Sequence, residues 1–466
     1  MRTYVQSLAK WVVTLLLLAH FAPASAVPAF ARQTGLKCVE CHMSWLELTS
    51  TGRRFKLGGY QILKSVEEGE KRPMVTFDFD TPPPVIPIAV AVQGGISSTE
   101  STHSGSQEEQ GDFARNNELA VQQASLFLAG KLYDHIGCFC QWTYDVVAGR
   151  GALDNAEIRY ANAFSSGGML TLYGVSLNNN PMMSDIYNTS TVWGWPYISS
   201  SVAVQPNAGT LINGGLAQSV VGVTAYALVN KMFYMEAGGY QTSNGVFSMF
   251  HQGTPLADRA ALDGVAPYYR LAFQKDWDNA HQAAEVGTFG LDANRFPDPF
   301  NPSGPTDRFL DAGVDAQYQY ISDEHRFSAM YTYIDERQTL DGSYGVGSAS
   351  HLNNGLNQLN TKLSYYYDLY YGVNFGLQRT RGSSDMALYN TGDPVTGSAN
   401  GSPATTARIL EFDYLFSLTG ATNRTTRLVV QYTDYLKFNG SAINYDGQGR
   451  NAHDNNTLYV ALWVLW

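Results

Sequence analysis

Apolar and polar side chains alternate with period two along most of the chain after residue 86. Successive side chains of a strand point to opposite faces, so each such run predicts a strand with one apolar and one polar face. In Arg308–Ile321, Leu310, Ala312, Val314, Ala316, Tyr318 and Tyr320 share a face, and Asp311, Asp315, Gln317 and Gln319 share the other. In Arg424–Phe438, Leu428, Val430 and Tyr432 oppose Arg427, Gln431 and Thr433. Ile136–Val147 sets Ile136, Cys138, Cys140, Trp142, Tyr144 and Val146 against Gly137, Gln141, Thr143 and Asp145. In Thr457–Trp466 one face carries Leu458, Val460, Leu462, Val464 and Trp466.

About 16 such runs fit between Ile86 and Trp466, an even number as single-chain bacterial barrels require. Short connections (Tyr133–His135, Ser165–Gly168, Asn230-Lys231, Asp276–Asn279, Ser322-Asp323, Asp368) alternate with long ones (Ser98–Asn117, Asn178–Ala217, Thr242–Gly264, Ala293–Asp307, Gln338–His351, Ser383–Thr405, Asn439–Asn455). Outer-membrane barrels keep short turns on the periplasmic side and long loops outside. The aromatic end of the last run is similar to the terminal strand by which such barrels are recognised for assembly. The expected fold is all-β: an antiparallel transmembrane barrel over residues 88–466, in the bacterial outer membrane and in contact with its lipid.

Composition agrees with that fold. Charged residues make up 15% of the chain, while Tyr 29, Phe 22 and Gly 44 are heavy usage. Aromatic girdles, a polar lumen and Gly-rich turns account for this profile. Lys+Arg 30 against Asp+Glu 41 gives a net charge of -11. Removal of a leader with two basic residues and no acidic ones takes -11 to -13. A basic nucleic-acid footprint is absent, so no nucleic-acid partner is expected.

Residues 1–26 read as a secretory signal. Arg2 and Lys10 give the positive region, Trp11–Ala19 the apolar core, and Ala24-Ser25-Ala26 the cleavage site. Export matters because of Cys38-Val39-Glu40-Cys41-His42. Two thiols three apart, followed by an imidazole, form the attachment pattern for one covalent haem c. Each thiol adds to a vinyl group, and His42 becomes the proximal iron ligand. A redox dithiol wants a βαβ context, and a zinc site wants a second ligand pair; neither is in the sequence.

Residues 27–80 form the haem segment, mainly helix and coil, and 81–87 a stiff Pro-rich linker. A segment of roughly 50 residues is too short to enclose a porphyrin with its own core. A barrel of about 16 strands leaves room for a plug. The segment is therefore expected inside the lumen or at its periplasmic mouth.

Phe30-Ala31-Arg32-Gln33-Thr34-Gly35, Cys38–His42, Leu48-Thr49, Gly52-Arg53, Phe55-Lys56-Leu57 and Gly59-Tyr60 resemble the haem end of the fused monohaem cytochrome–porins of iron-oxidising bacteria. The motif match covers about 35 residues; the barrel resembles that family in size and layout only. The resemblance implies an oxidoreductase that takes electrons from extracellular Fe(II) and passes them to a periplasmic cytochrome or copper protein. Two other readings stay open: an outward electron conduit, and a diffusion porin carrying a haem plug.

The distal ligand is less defined. Met74 is the first candidate, because a thioether raises haem potential and suits Fe(II) oxidation. Met43 is sterically poor beside the proximal ligand. His251 and His351 fall in outer loops, Met330 faces inward, and the sixth position can also be open. Arg53 and Arg54, with Arg32, Lys37 and Lys56, bracket the motif and are candidates for the propionates. Their alternative is a basic face turned to acidic lumen walls. Inward Asp145, Glu157, Glu236, Asp311, Asp315, Glu411 and Asp413 either guide Fe(II) or balance Arg159, Arg270, Arg326 and Arg427; balance is the simpler reading. Cys138 and Cys140 are expected on the lipid-facing side as small apolar residues. No side-chain set points to group-transfer catalysis.

Overall fold

A computed structural model describes residues 28–63, 87–101, 116–393, 395–417 and 425–466. The leader, Met74 and all but the last residue of the linker lie outside the described residues. The strands are β1 Ile88–Thr99, β2 Leu119–Tyr133, β3 Ile136–Asp145, β4 Arg150–Ser166, β5 Met169–Asn178, β6 Val220–Val229 and β7 Phe233–Thr242. After the two-residue β8 Ala261–Leu262 come β9 Ala266–Trp277, β10 Gln282–Phe296, β11 Asp307–Ile321, β12 His325–Thr339 and β13 Asn353–Tyr367. The last are β14 Tyr371–Gly382, β15 Thr405–Phe416, β16 Thr426–Lys437 and β17 Thr457–Leu465.

Sixteen long strands pair antiparallel in chain order, and β1 pairs with both β2 and β17, so the sheet closes. Ala91 lies opposite Leu465 on one side and Ser125 on the other. Closure leaves no unpaired edge, which a bilayer requires. The pattern of alternation holds: Leu310, Val314 and Tyr320 are exposed, while Asp311, Asp315, Gln317 and Gln319 are buried. Exposed Tyr133, Phe164, Phe233, Trp277, Tyr320, Tyr371 and Tyr414 sit beside the short turns and form one girdle. Those turns use left-handed backbone, as at Gly167-Gly168 and Asn230-Lys231.

Two details of the barrel wall differ from the sequence reading. The β3–β4 connection, residues 146–149, is short although it lies on the long-loop side, and Val146 falls outside the strand. Cys138 and Cys140 do point outward, but Cys138 is 1% exposed, and Cys140 packs in a cluster with Phe247 and Phe250. That segment, Gly245–His251, folds over the outer wall, so protein rather than lipid covers this patch.

Two stretches occupy the lumen. One is residues 28–63, with helices α1 Pro28–Thr34, α2 Cys38–Cys41 and α3 Ser50–Leu57. The other is the β5–β6 connection, residues 179–219. It reaches walls all round: Thr189 Oγ1 donates to Asp315 at 2.5 Å, Trp195 Nε1 to Glu411 at 2.8 Å, and Ile212 N to Asp311 at 2.9 Å. Apolar clusters fill the space between, one joining Tyr60, Phe127, Phe139, Met183 and Trp463, another Met182, Leu211, Phe289 and Ile334.

Candidate functional site

Residues 28–63 are fixed to the wall at three places. At the periplasmic mouth Arg32 donates to the Ile88 carbonyl, and Gln33 Nε2 to the Ala129 carbonyl at 3.0 Å. Phe30 stacks on Tyr60 with centroids 5.4 Å apart and meets Phe55 edge-on at 5.1 Å. The wall must be bare here: a Cβ on Gly137 would sit 1.8 Å from the Gly59 carbonyl oxygen. On the other wall Glu47 is fully buried and accepts from Lys362 Nζ at 2.8 Å, Gln319 Nε2 at 2.9 Å and Ser328 Oγ at 3.0 Å. Three strands thus converge on one carboxylate of the plug.

The Cys38–His42 turn is held from both sides. Thr49 N donates to the Cys41 carbonyl at 3.0 Å, and Thr49 Oγ1 caps α3 through Gly52 N at 3.2 Å. Gly52 lets α3 lie against the turn, since a Cβ there would meet the Cys41 oxygen at 2.1 Å. From β12, Arg326 Nη1 donates to the carbonyls of His42 at 2.7 Å and Val39 at 3.2 Å. Arg326 therefore orients the turn.

Cys38, Cys41 and His42 all line one cavity of about 410 Å³. That is within the roughly 300–1,000 Å³ of small-molecule and cofactor sites. Around the motif its walls are apolar: Phe30, Leu36, Leu46, Leu48, Phe55, Phe127, Phe139, Trp193 and Trp463. Its other end is polar, with Gln123, Gln141, Asp154, Asn155 and Asn180. Burial pushes the His42 imidazolium down to about 4; the Leu46 carbonyl opposes this and the Arg326 charge adds to it. The ring is therefore neutral at pH 7, the form that binds metal. Its Nδ1 is buried with no hydrogen-bond partner. Two thiols, an imidazole with an unmet Nδ1 and a mainly aromatic cavity are a donor set and enclosure that fit a covalent haem c.

The other candidates lie elsewhere. Arg53 is buried against Gln317 (3.0 Å), Ser50 (2.9 Å) and Gln319 (3.4 Å), and Arg54 lies 3.8 Å from Asp276. Neither lines the cavity, whereas Lys37 and Lys56 do. Lys56 Nζ is spent on the carbonyls of Met183 (2.9 Å) and Asp185 (2.7 Å). Met43 is buried beside the turn, and Met330 lines a separate small cavity with Thr332 and Lys362. His251 bonds Ser243 at 2.9 Å, and His351 sits 3.5 Å from Asp385, both in outer loops.

The lumen carboxylates are mostly committed. Glu157 faces Arg159 at 2.9 Å and Asp413 faces Arg427 at 2.9 Å; Arg427 also reaches Glu411 at 2.7 Å. Asp315 pairs with Arg270, Glu236 accepts from Tyr234, and Asp311 accepts from the Ile212 amide. Asp145 caps its own turn at Ala148. Sequence reasoning missed Glu47, Lys362 and the inward connection 179–219. A signal for the pocket was present: Tyr459, Ala461, Trp463 and Leu465 make the inner face of β17 as apolar as its outer one.

No protein-family model and no curated protein matches the chain. The solved structures it is similar to include OmpF of Salmonella typhi, 13% identical over 81% of this chain and 97% of that one, TM-score 0.41. The outer-membrane channel DcaP of Acinetobacter baumannii is 11% identical over 81% and 96%, TM-score 0.41. An anion-selective porin from Comamonas acidovorans is 11% identical over 81% and 98%, TM-score 0.43. Each is a likeness of barrel architecture.

Proposed function

We propose that this protein is an outer-membrane c-type cytochrome built into a porin-like barrel, accepting electrons from extracellular Fe(II) and passing them to a periplasmic carrier. The observation that carries the reading is the meeting of Cys38, Cys41 and a buried, neutral His42 on one wall of an aromatic cavity inside the barrel. When bound there, the haem supplies one-electron redox chemistry. The chain's own residues do the rest. Cys38 and Cys41 hold the group, His42 offers the axial nitrogen, and Arg326 fixes the turn that carries all three. Phe30, Phe55, Phe127, Phe139 and Trp463 exclude water. The resemblance of residues 30–60 to the cytochrome–porins supports the same direction of flow. Haem staining of the denatured protein tests attachment: staining should vanish in Cys38→Ala/Cys41→Ala and weaken in either single variant. Fe(II)-dependent reduction of the haem in intact outer membranes tests the activity, and full staining of the double variant would sink the proposal.

The barrel itself favours a second reading, a diffusion porin in which residues 28–63 are only a plug. Barrels of sixteen strands are wide enough for an aqueous channel. Channel conductance separates the two.

A further inference from the structure

The cavity that takes the Cys38–His42 turn has a second, polar end, and strand order places it on the outer side. Gln123 precedes Phe127 on β2, which runs inward from the outer loop. Gln141 follows Phe139 on β3, which runs outward, and Asn155 lies directly across from Gln141 on β4. Asn180 follows the outer end of β5. The aromatic end therefore faces the periplasm and the amide-rich end faces the outer loops.

A β-bulge shapes this end. The β3–β4 register shifts between Gln141 and Trp142: Gln141 pairs with Asn155 and Trp142 with Leu153, leaving Asp154 as the extra residue. Bulges re-aim side chains, and here two successive residues, Asp154 and Asn155, both line the cavity. The Asp154 carboxylate accepts from Gln218 Nε2 at 2.7 Å and Thr143 Oγ1 at 3.2 Å, both neutral donors. Among the described residues no cation lies within ion-pair distance of it, unlike Glu157, Asp315 and Asp413. The same cavity is lined by a residue with an unmet acceptor. Asn180 is 4% exposed and lines the same cavity, yet its side-chain carbonyl oxygen has no hydrogen-bond partner.

We infer that this outer end binds a hydrated divalent cation, with Asp154 as the charged ligand and the Asn180 carbonyl oxygen as a second. Carboxylate, amide oxygen and water are the ligands hard divalent ions take. One carboxylate makes a weak site, which suits an ion that must enter and leave. The inference rests on the proposed function only where it takes that ion to be substrate Fe(II), bound in the cavity that receives the haem-attaching turn.

The test uses the purified full-length protein in detergent with Mn(II), a hard ion that will not reduce haem, followed by its electron paramagnetic resonance signal. Wild type should show a saturable site. Asp154→Asn should weaken it by roughly tenfold or more, because the only charged ligand is lost, and Asn180→Ala should weaken it less. Retained heat-modifiability shows that each variant still folds its barrel. Mn(II) binding in Asp154→Asn equal to wild type, or no saturable site in wild type, overturns the inference. Haem staining and Fe(II)-dependent haem reduction on the same samples test the proposed function separately. A saturable site lost in Asp154→Asn, in a protein that carries no haem, supports the cation site and ends the cytochrome reading. Equal Fe(II) reduction rates in wild type and Asp154→Asn, with unchanged Mn(II) binding, end the cation site and leave the cytochrome reading standing.

Discussion

A carboxylate with no water around it survives only where cations and donors replace the water, and Glu47 meets that condition through three separate strands. Burial pushes its carboxyl up, but the Lys362 ammonium and the bonds from Lys362, Gln319 and Ser328 outweigh burial and hold it below the usual range. A lowered folded value means stability that is present above the unfolded value, near 4.3, and is lost as pH falls through the folded one. The plug should therefore loosen in acid below about pH 4 while the barrel persists. Proteolysis of residues 28–63 against pH measures this, and a plug protected unchanged to pH 2 would refute it. Glu47→Ala leaves Lys362 buried and unpaired, so docking should weaken by about 3–5 kcal/mol at neutral pH. None of this was legible in the sequence. Cys38, Cys41 and His42 announce themselves by spacing, because the proposed porphyrin would dictate where its attachments lie. Glu47 and Lys362 stand 315 residues apart, and only the closed barrel brings them together.

At the level of elements, alternation identifies a strand but not what its inner face touches. β11 has the expected polar inner face because it meets the polar connection 179–219, as at Thr189–Asp315. β17 instead packs Trp463 against Trp45 of the plug, with ring centroids 5.5 Å apart. The continuous apolar run Leu458–Trp466 thus records two apolar environments, lipid outside and plug inside. The inward path of 179–219 left no such trace: its Asn, Ser, Thr and Gly read as an ordinary outer loop, and those same groups satisfy lumen walls. The bulge at Asp154 is equally silent, being a matter of pairing count rather than composition. Where strand and plug touch by backbone, one methyl group decides docking. Gly137→Ala drives a carbon into the Gly59 oxygen, and overpacking of this kind costs roughly 1–3 kcal/mol. The expected outcome is a heat-modifiable barrel of normal yield whose plug is cleaved faster by protease. A plug as resistant as wild type would show that the wall can give way at Gly137.

For the whole molecule the question is whether the lumen conducts. Barrel closure, an apolar outer band and a girdle at the short turns make this an outer-membrane barrel, and its closed form on gels should be heat-modifiable. Sixteen strands alone would leave an aqueous channel. Two independent stretches enter that space, and they hold each other: Lys56 of the plug bonds the carbonyls of Met183 and Asp185, and Leu48 N donates to Asn188 Oδ1 at 3.1 Å. Removing one should therefore disturb both. Deletion of residues 28–80 takes away the plug and leaves the lysine's carbonyl partners and the apolar wall of Phe127, Phe139 and Trp463 facing water. The deleted protein should show channel conductance in planar bilayers well above that of wild type, with fluctuations as 179–219 loses its support. Wild type should conduct little if the proposed electron-transfer role holds, since an insulating scaffold gains nothing from solute leakage. A wild-type conductance equal to that of the deletion would mean that the plug blocks nothing. The diffusion-porin reading would then fit the barrel better than the cytochrome reading does.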